Sequence, residues 1–355
     1  MSQERIKIVG AGLIGTSLGL ALTKHGIDVG LENRSKANLR LAIEYGAGKE
    51  AEGDYDLVIV CVSPEMTAEV VAGQLAKHPR ALVTDVASVK AEIAREVARI
   101  APEHALRYLG SHPMAGREKG GPGAARADLF FARPWVITPS TDSPPASVER
   151  LKNLAMQLSA LPIVMSAEEH DRAVALVSHL PQLVSSALAA RLQSGDEQQL
   201  GLAGQGLRDA SRIASSDPDL WLQILSQNAN LVSPLLAEFK KDIEELLQSL
   251  ENLDSPGSLA KLHNLLERGN SGVARIPGKH GGKFVDYQLL TVVIDDSPGS
   301  LASLLTFIGE VGVNIEDLKL EHSPGAQIGL VEIQVLPEAA ERLSEQLTQN
   351  GWRLV

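Results

Sequence analysis

The feature that most constrains this chain is Gly10-Ala11-Gly12-Leu13-Ile14-Gly15. It follows a short apolar strand, Ile6-Lys7-Ile8-Val9, and runs into Thr16-Ser17-Leu18-Gly19-Leu20-Ala21-Leu22, which reads as a helix. G-x-G-x-x-G in that setting has a mechanical meaning. Gly10 permits the tight turn, Gly12 lets a pyrophosphate approach the backbone, and Gly15 lets helix and strand pack closely. Backbone N–H groups at the helix start, around Leu13 and Ile14, then face the phosphates. A second strand, Asp28-Val29-Gly30-Leu31, ends at Glu32, about 20 residues on, where a carboxylate receives the ribose hydroxyls. Residues 1–165 therefore read as a Rossmann-type α/β domain that binds a dinucleotide. Glu32 would repel a ribose 2′-phosphate, which favours NAD. Arg34 is either a solvated helix-start residue or a group that accommodates NADP.

The βα units continue down the chain. Residues 56–62 form an unbroken apolar run, as a strand buried on both faces requires. It ends at Ser63-Pro64, where a dinucleotide passes over the carboxyl ends of the strands. Residues 81–85 form another strand, followed by Val86-Ala87-Ser88-Val89-Lys90 and a helix to Arg99. Ser88 is either a helix cap or a hydrogen-bonding group facing nicotinamide, substrate or His112. His112 lies between an expected strand end, Arg107-Tyr108-Leu109, and the turn Pro113-Met114-Ala115-Gly116. Histidine exchanges protons near neutral pH, and Pro113 restricts His112 to extended conformations. Alone, the motif fits a turn histidine as well as a proton acceptor. Beyond it, Arg117, Lys119, Arg126 and Arg133 outnumber Glu118 and Asp128, which is a solvated loop or an anion-facing one.

Composition narrows the options. The 355 residues suggest two or three domains of roughly 100–150 residues. Hydrophobic residues make up 44% of the chain, enough for buried cores. A net charge of -11 argues against nucleic acid as a partner, so an anionic ligand must be met by local cations. Cys61 is the only cysteine, which excludes an intrachain disulfide and fits a reducing compartment. The reading finds no signal peptide, no apolar run approaching a membrane span and no metal site, so a cytoplasmic protein is expected.

Residues 166–270 read as a helical domain. Ser166-Ala167-Glu168-Glu169 is a capping pattern that opens a helix toward Leu192. Pro181 should kink it near Ser178 and aim His179 off the regular face. The apolar stripe through Leu176, Leu180, Leu183 and Val184 equally fits a core-edge histidine. Asp209 and Arg212, three apart, suit a surface ion pair or an arginine fork for a carboxylate. Asp217-Pro218 caps a long amphipathic helix through Trp221, Leu225, Leu236, Phe239, Ile243 and Leu247. Residues 271–283 are Gly-rich and basic and read as a linker. Residues 284–355 alternate as βαββαβ, with strands at 287–294, 313–320, 328–335 and 352–355 and helices at 301–311 and 338–349.

These pieces together resemble the prephenate/arogenate dehydrogenase family of tyrosine biosynthesis. The matching motifs are the glycine-rich turn, Asp85-Val86-Ala87-Ser88-Val89-Lys90, Ser111-His112-Pro113-Met114-Ala115-Gly116, Ser178-His179-Leu180-Pro181, Asp209-Ala210-Ser211-Arg212-Ile213-Ala214, and Asp217-Pro218 with Trp221. The resemblance implies oxidative decarboxylation. Hydride leaves C4 of a cyclohexadiene for the nicotinamide of NAD, the ring carboxylate departs as CO2, and the ring becomes aromatic. His112 is then the acceptor for the C4 hydroxyl, with Ser88 orienting it. Arg212 binds a substrate carboxylate, and His179, Trp221 and Gln205 complete the substrate site. Trp221 packs, or reaches the site of a second copy in a homodimer. The last segment resembles an ACT domain, through Asp296-Ser297-Pro298-Gly299-Ser300-Leu301 and Gly312-Val313-Asn314-Ile315. That likeness implies an amino-acid effector, tyrosine, held near Asp296, Pro298, Gly299, Asn314 and Ile315. Two other readings carry less. A 3-hydroxyacid dehydrogenase would need a lysine on the helix after the Rossmann domain, and residues 166–192 contain none. A catalytically dead sensor would have no need to keep His112, His179 and Arg212 together.

Overall fold

The computed structural model describes residues 4–117, 119–277, 287–322 and 328–355. Its contacts divide the chain into two units, residues 1–240 and 241–355. The first opens with β1 (Arg5–Val9), α1 (Leu13–Lys24), β2 (Asp28–Glu32), α2 (Lys36–Glu44), β3 (Lys49–Glu50), β4 (Leu57–Val60), α3 (Pro64–Lys77), β5 (Leu82–Asp85) and α4 (Ala91–Ile100). The five strands form a parallel sheet in the order β3-β2-β1-β4-β5. Ile8 sits beside both Leu31 and Ile59, so the central strands are apolar on both faces and fully buried. Each such side chain contributes about 1.5–3 kcal/mol by leaving water. The order reverses at β1, and the carboxyl ends of β1 and β4 flank the crevice where α/β sheets bind ligands.

Past a 3-10 turn (Pro102–Arg107) the chain differs from its expected layout. Tyr108 makes only a single bridge to Val83. The strand comes later, as β6 (Gly110–Pro113), so His112 lies inside a strand rather than in a turn. β6 pairs antiparallel with β7 (Pro134–Thr138), which runs parallel to β8 (Leu161–Val164), with α5 (Pro145–Gln157) between them. His112 stands opposite Val136, and the ladder sets its direction. Phe130 and Trp135 anchor this small sheet in the core.

The helical part follows without a break into a separate unit. α6 (Ala167–Val174) opens with the expected capping box between Ser166 and Glu169. A π-helical turn (Ala175–His179) leads into α7 (Leu180–Arg191). The regular helix is thus interrupted by a widened turn just before Pro181, where the sequence places the break. Then come α8 (Glu197–Gly201), α9 (Gln205–Ser211) and α10 (Pro218–Glu251), which leaves helical geometry at Asn228 and contains Pro234. The stretch Ala167–Ser194 is long and apolar enough to cross a membrane by composition. The sequence reading missed this. Only 28% of its apolar window is buried, and Leu176, Val177 and Leu188 are exposed, while the polar His170, Asp171 and His179 are buried. Ile224 of α10 belongs to the same buried cluster as Val58 and Val83, with Trp221 packed against it. That shared core is why contacts place no boundary near residue 165.

The second unit carries α11 (Ser258–Val273), then β9 (Gln288–Asp295), α12 (Ser300–Val311), β10 (Asp317–His322), β11 (Ile328–Val335), α13 (Pro337–Gln349) and β12 (Arg353–Leu354). The linker expected from Ser271 therefore begins later, because α11 runs to Val273; residues 278–286 lie outside the described residues. The βαββαβ order holds, as an antiparallel sheet ordered β10-β11-β9-β12. β10 starts at Asp317, four residues later than the sequence suggests. Gly312 ends α12 in the left-handed region, and residues 313–316 form the turn that follows.

Candidate active site

A cavity of about 710 Å³ opens at the carboxyl ends of β1, β4 and β5. Gly12, Leu13, Ile14, Ser63, Pro64 and Ser88 line one side, and His112, Arg117, Arg212 and Trp221 line the other. Gly10 has φ +111°, and a Cβ there would lie 2.2 Å from the Cys61 carbonyl oxygen, so only glycine makes this turn. Gly12 has open space in front of it, and α1 begins with no side-chain cap. An uncapped helix start beside open space fits the pyrophosphate of a dinucleotide. Gly15 closes the helix onto the strand, since a Cβ there would meet the Gly10 oxygen at 1.8 Å.

His112 is held by a chain of groups that sequence reasoning missed. Its Nδ1 lies 2.9 Å from Nε2 of His170, and Nδ1 of His170 lies 2.8 Å from Oδ1 of Asp171. Asp171 also accepts from the backbone N–H groups of Lys90 at 2.9 Å and Ala91 at 2.8 Å, so it caps α4 from another layer. Burial pushes the Asp171 carboxyl up. The His170 hydrogen bond and the two amides outweigh that and hold it below the usual carboxylate range. An ionised Asp171 fixes the protons along the chain. His170 donates from Nδ1 and accepts at Nε2. His112 then donates from Nδ1 and keeps a lone pair at Nε2. Ser88 lines the cavity, but the group that orients the His112 ring is His170. The missed signal was the His170-Asp171 pair inside an otherwise apolar helix.

Beneath lies a second buried network. The Lys90 ammonium pairs with Asp85 Oδ1 and donates to the Ser111 carbonyl at 2.8 Å. Tyr108 donates to Asp85 Oδ2 at 2.7 Å, and Ser111 Oγ to the Asp85 carbonyl at 2.8 Å. These bonds tie the end of β5 to Tyr108 and to Ser111 of β6, immediately before His112.

The other expected residues divide. His179 is buried and stands behind Trp221, ring centroids 5.8 Å apart and nearly perpendicular. Asn228 donates to His179 Nδ1 at 3.1 Å and to the Asp171 carbonyl at 3.0 Å. Trp221 lines the cavity and also packs against the core cluster, whereas His179 is not among the lining residues. Gln205 is exposed and donates to Asp209 at 2.8 Å, away from the cavity lining. Gln182, to which the sequence reading gave no role, lines the cavity instead. Glu32 and Arg34 also lie outside that lining, and Glu32 faces Lys7 and Lys77. Arg126 pairs with Asp128 at 2.6 Å, which leaves Arg117 as the cation of that loop in the cavity wall. In the second unit Asp296, Pro298 and Gly299 form an exposed turn. Asn314 donates to Glu316 at 2.7 Å, and Ile315 packs against the core.

Burial drives the His112 ring well below the ordinary histidine range, helped by the charges of His170, Lys90 and His179. His179 is pulled down to about 4, by burial first and by His170, against Asp171. Two pH effects follow. Initial rates measured downward from about pH 8 should stay flat through about pH 6.5, where free histidine titrates, and fall only well below it. Below about pH 6.5 unfolded His179 takes up a proton that the folded form refuses. Its contribution to stability is therefore complete above that pH and is lost as pH falls toward about 4. Melting temperatures across this range should drop more steeply in the wild type than in His179→Asn.

A glycine-rich turn at a sheet switch point, a neutral histidine over the crevice and an arginine opposite define a nicotinamide-dependent dehydrogenase acting on an anionic substrate. The chain matches the family profiles "Prephenate dehydrogenase, nucleotide-binding domain" over residues 18–164 and "Prephenate dehydrogenase, dimerization domain" over residues 166–267. It is 35% identical over 357 residues to a probable prephenate dehydrogenase, NovF, of Streptomyces niveus, covering 97% of this chain and 98% of that one. It is 26% identical to a prephenate dehydrogenase of Bacillus subtilis, covering 97% and 95%. Among solved structures it resembles the arogenate dehydrogenase of Synechocystis, at TM-score 0.63 and 27% identity over 76% of this chain and 98% of that one. The prephenate dehydrogenase of Aquifex aeolicus, solved with hydroxyphenyl propionate and NAD+, shares the fold at TM-score 0.66 and 24% identity, over 76% and 99%. The chain belongs to the prephenate dehydrogenase family. It is an NAD-dependent oxidoreductase that decarboxylates prephenate oxidatively, in tyrosine biosynthesis.

Proposed function

We infer that His112 is the proton acceptor of this reaction and that the Asp171–His170 pair arms it. The observation that carries this reading is the hydrogen-bonded chain from Asp171 through His170 to His112 at the cavity wall. Bound NAD supplies the hydride acceptor, cradled by Gly12, Leu13, Ile14, Ser63 and Pro64. His112 Nε2 takes the proton of the C4 hydroxyl as that carbon becomes carbonyl-like. The positive charge that forms on its ring is shared through Nδ1 with His170 and balanced by Asp171. Arg212 holds a carboxylate of the substrate, and Trp221 closes the apolar side of the ring. As CO2 departs, the electron pair of its bond to the ring passes through the ring to the C4 oxygen, which recovers its proton from His112; 4-hydroxyphenylpyruvate results, and aromatisation drives the step forward. The test is NADH formation from prephenate and from arogenate, each with NAD and with NADP. Prephenate with NAD should be the preferred pair; no turnover with either substrate would refute the reading. Likeness to the Synechocystis arogenate dehydrogenase supports a second reading, in which arogenate is oxidised to tyrosine. Gln182, in the lining, is then the group to face the differing amine.

The family's dimerisation segment and the exposed Leu236, Ile243, Leu247 and Leu250 of α10 support a homodimer. The C-terminal βαββαβ module supports feedback inhibition by tyrosine at the turn around Gly299 and Asn314. A chain ending at Ile276 should keep dehydrogenase activity and lose that inhibition. Allosteric coupling of about 1–3 kcal/mol corresponds to a shift of about 5–150-fold in substrate affinity for the full chain. Equal inhibition of the shortened chain would place tyrosine in the active site as a product mimic.

A further inference from the structure

Lys7 occupies the middle of β1, inside the dinucleotide domain, and its side chain is 1% exposed. An ammonium withdrawn from water is tolerated only when its donors are satisfied. Lys7 Nζ meets Glu32 Oε2 at 2.6 Å, Gln74 Oε1 at 2.9 Å and His78 Nε2 at 3.2 Å, one acceptor for each proton. Lys77 reaches the same Glu32 oxygen at 3.4 Å, and Gln74 Nε2 reaches the other at 3.4 Å. Glu32, the last residue of β2, is thus gripped from beneath by β1 and from the side by α3. Its own side chain is still 40% exposed, so lone pairs remain open at the carboxyl end of the strand.

Buried ion pairs seldom stabilise a fold more than apolar residues of similar volume would. The effect specific to Lys7 is on the carboxylate it holds. We propose that Lys7 is a positioning residue for dinucleotide recognition, fixing Glu32 in the orientation that receives the adenosine ribose hydroxyls. The proposal rests on the reading of Glu32 as the ribose acceptor and is independent of the roles given to His112 and Arg212. It also revises how Glu32 selects NAD. Two ammonium groups offset its charge, so selection comes from aimed hydrogen bonds more than from repulsion of a 2′-phosphate.

The test is calorimetric binding of NAD and of NADP to the full chain without substrate. The proteins are the wild type, Lys7→Met, Glu32→Gln and the double variant. Lys7→Met should weaken NAD about 10-fold and NADP less than about threefold, since a 2′-phosphate makes no diol bond to Glu32. In the Glu32→Gln background Lys7→Met should add nothing. Equal losses for both dinucleotides, a persistent effect in that background, or a lower Tm with unchanged NAD affinity would overturn the proposal. If Glu32→Gln alone leaves NAD affinity unchanged, the ribose reading itself fails, a result distinct from failure of Lys7. Should Lys7→Met not fold, Gln74→Leu removes one acceptor of Lys7 and one donor to Glu32 while keeping both charges. It should weaken NAD in the same direction, and unchanged affinity would again overturn the proposal.

Discussion

Replacing His112 by Asn should lower kcat by roughly 10²–10⁴ with KM for prephenate little changed. The amide keeps a polar group in the strand position opposite Val136 but has no lone pair basic enough to take the hydroxyl proton. The variant's residual rate should not follow the wild-type pH profile, because the titrating group is gone, so the loss is constant where the wild-type rate is flat and narrows only at the low pH where the wild type itself falls. Steady-state rates with saturating NAD check this. A variant with an unchanged kcat would remove His112 as the base, and the Asp171–His170 chain would be left without a catalytic purpose.

Arg212→Ala should act on the other parameter. The guanidinium lines the cavity across from the glycine-rich turn, and a planar fork matches a carboxylate better than any other side chain does. Losing it should raise KM by about 2–4 kcal/mol of binding, roughly 30- to 1,000-fold, with a smaller change in kcat. Steady-state kinetics over a wide range of prephenate would separate the two. An unchanged KM together with a lower Tm would make Arg212 a structural residue of the 3-10 turn that it begins (Arg212–Ser215).

Much of the dinucleotide half was legible because its rules are local. A strand, a glycine turn and a helix succeed one another within a few residues, and each glycine answers to its own steric need. The capping box at Ser166 and the βαββαβ order were legible for the same reason. What could not be read were contacts made across layers. Asp171 caps α4 over 80 residues of sequence, and no periodicity reports that. The register of His112 was misplaced because β6 owes its position to pairing with β7, a partner more than 20 residues further on. Gln205 was assigned by motif order, but a helical turn carried Gln182 into the cavity wall and left Gln205 outside. The role of Lys7 was hidden for a different reason. In an apolar strand a lysine reads as an interruption, and only the fold reveals its three acceptors.

The position of Asp171 has one more consequence. The same carboxylate stitches the start of α4 to α6 and sets the tautomer of His170. Seating of the helical layer on the dinucleotide layer and arming of the base are therefore a single event. Any loosening of that seam would withdraw amides from Asp171 and raise its proton affinity. The order of protons along the two histidines would then no longer be enforced. A small molecule that prised α6 from α4 would silence the enzyme without entering the cavity, and it would leave NAD free to bind.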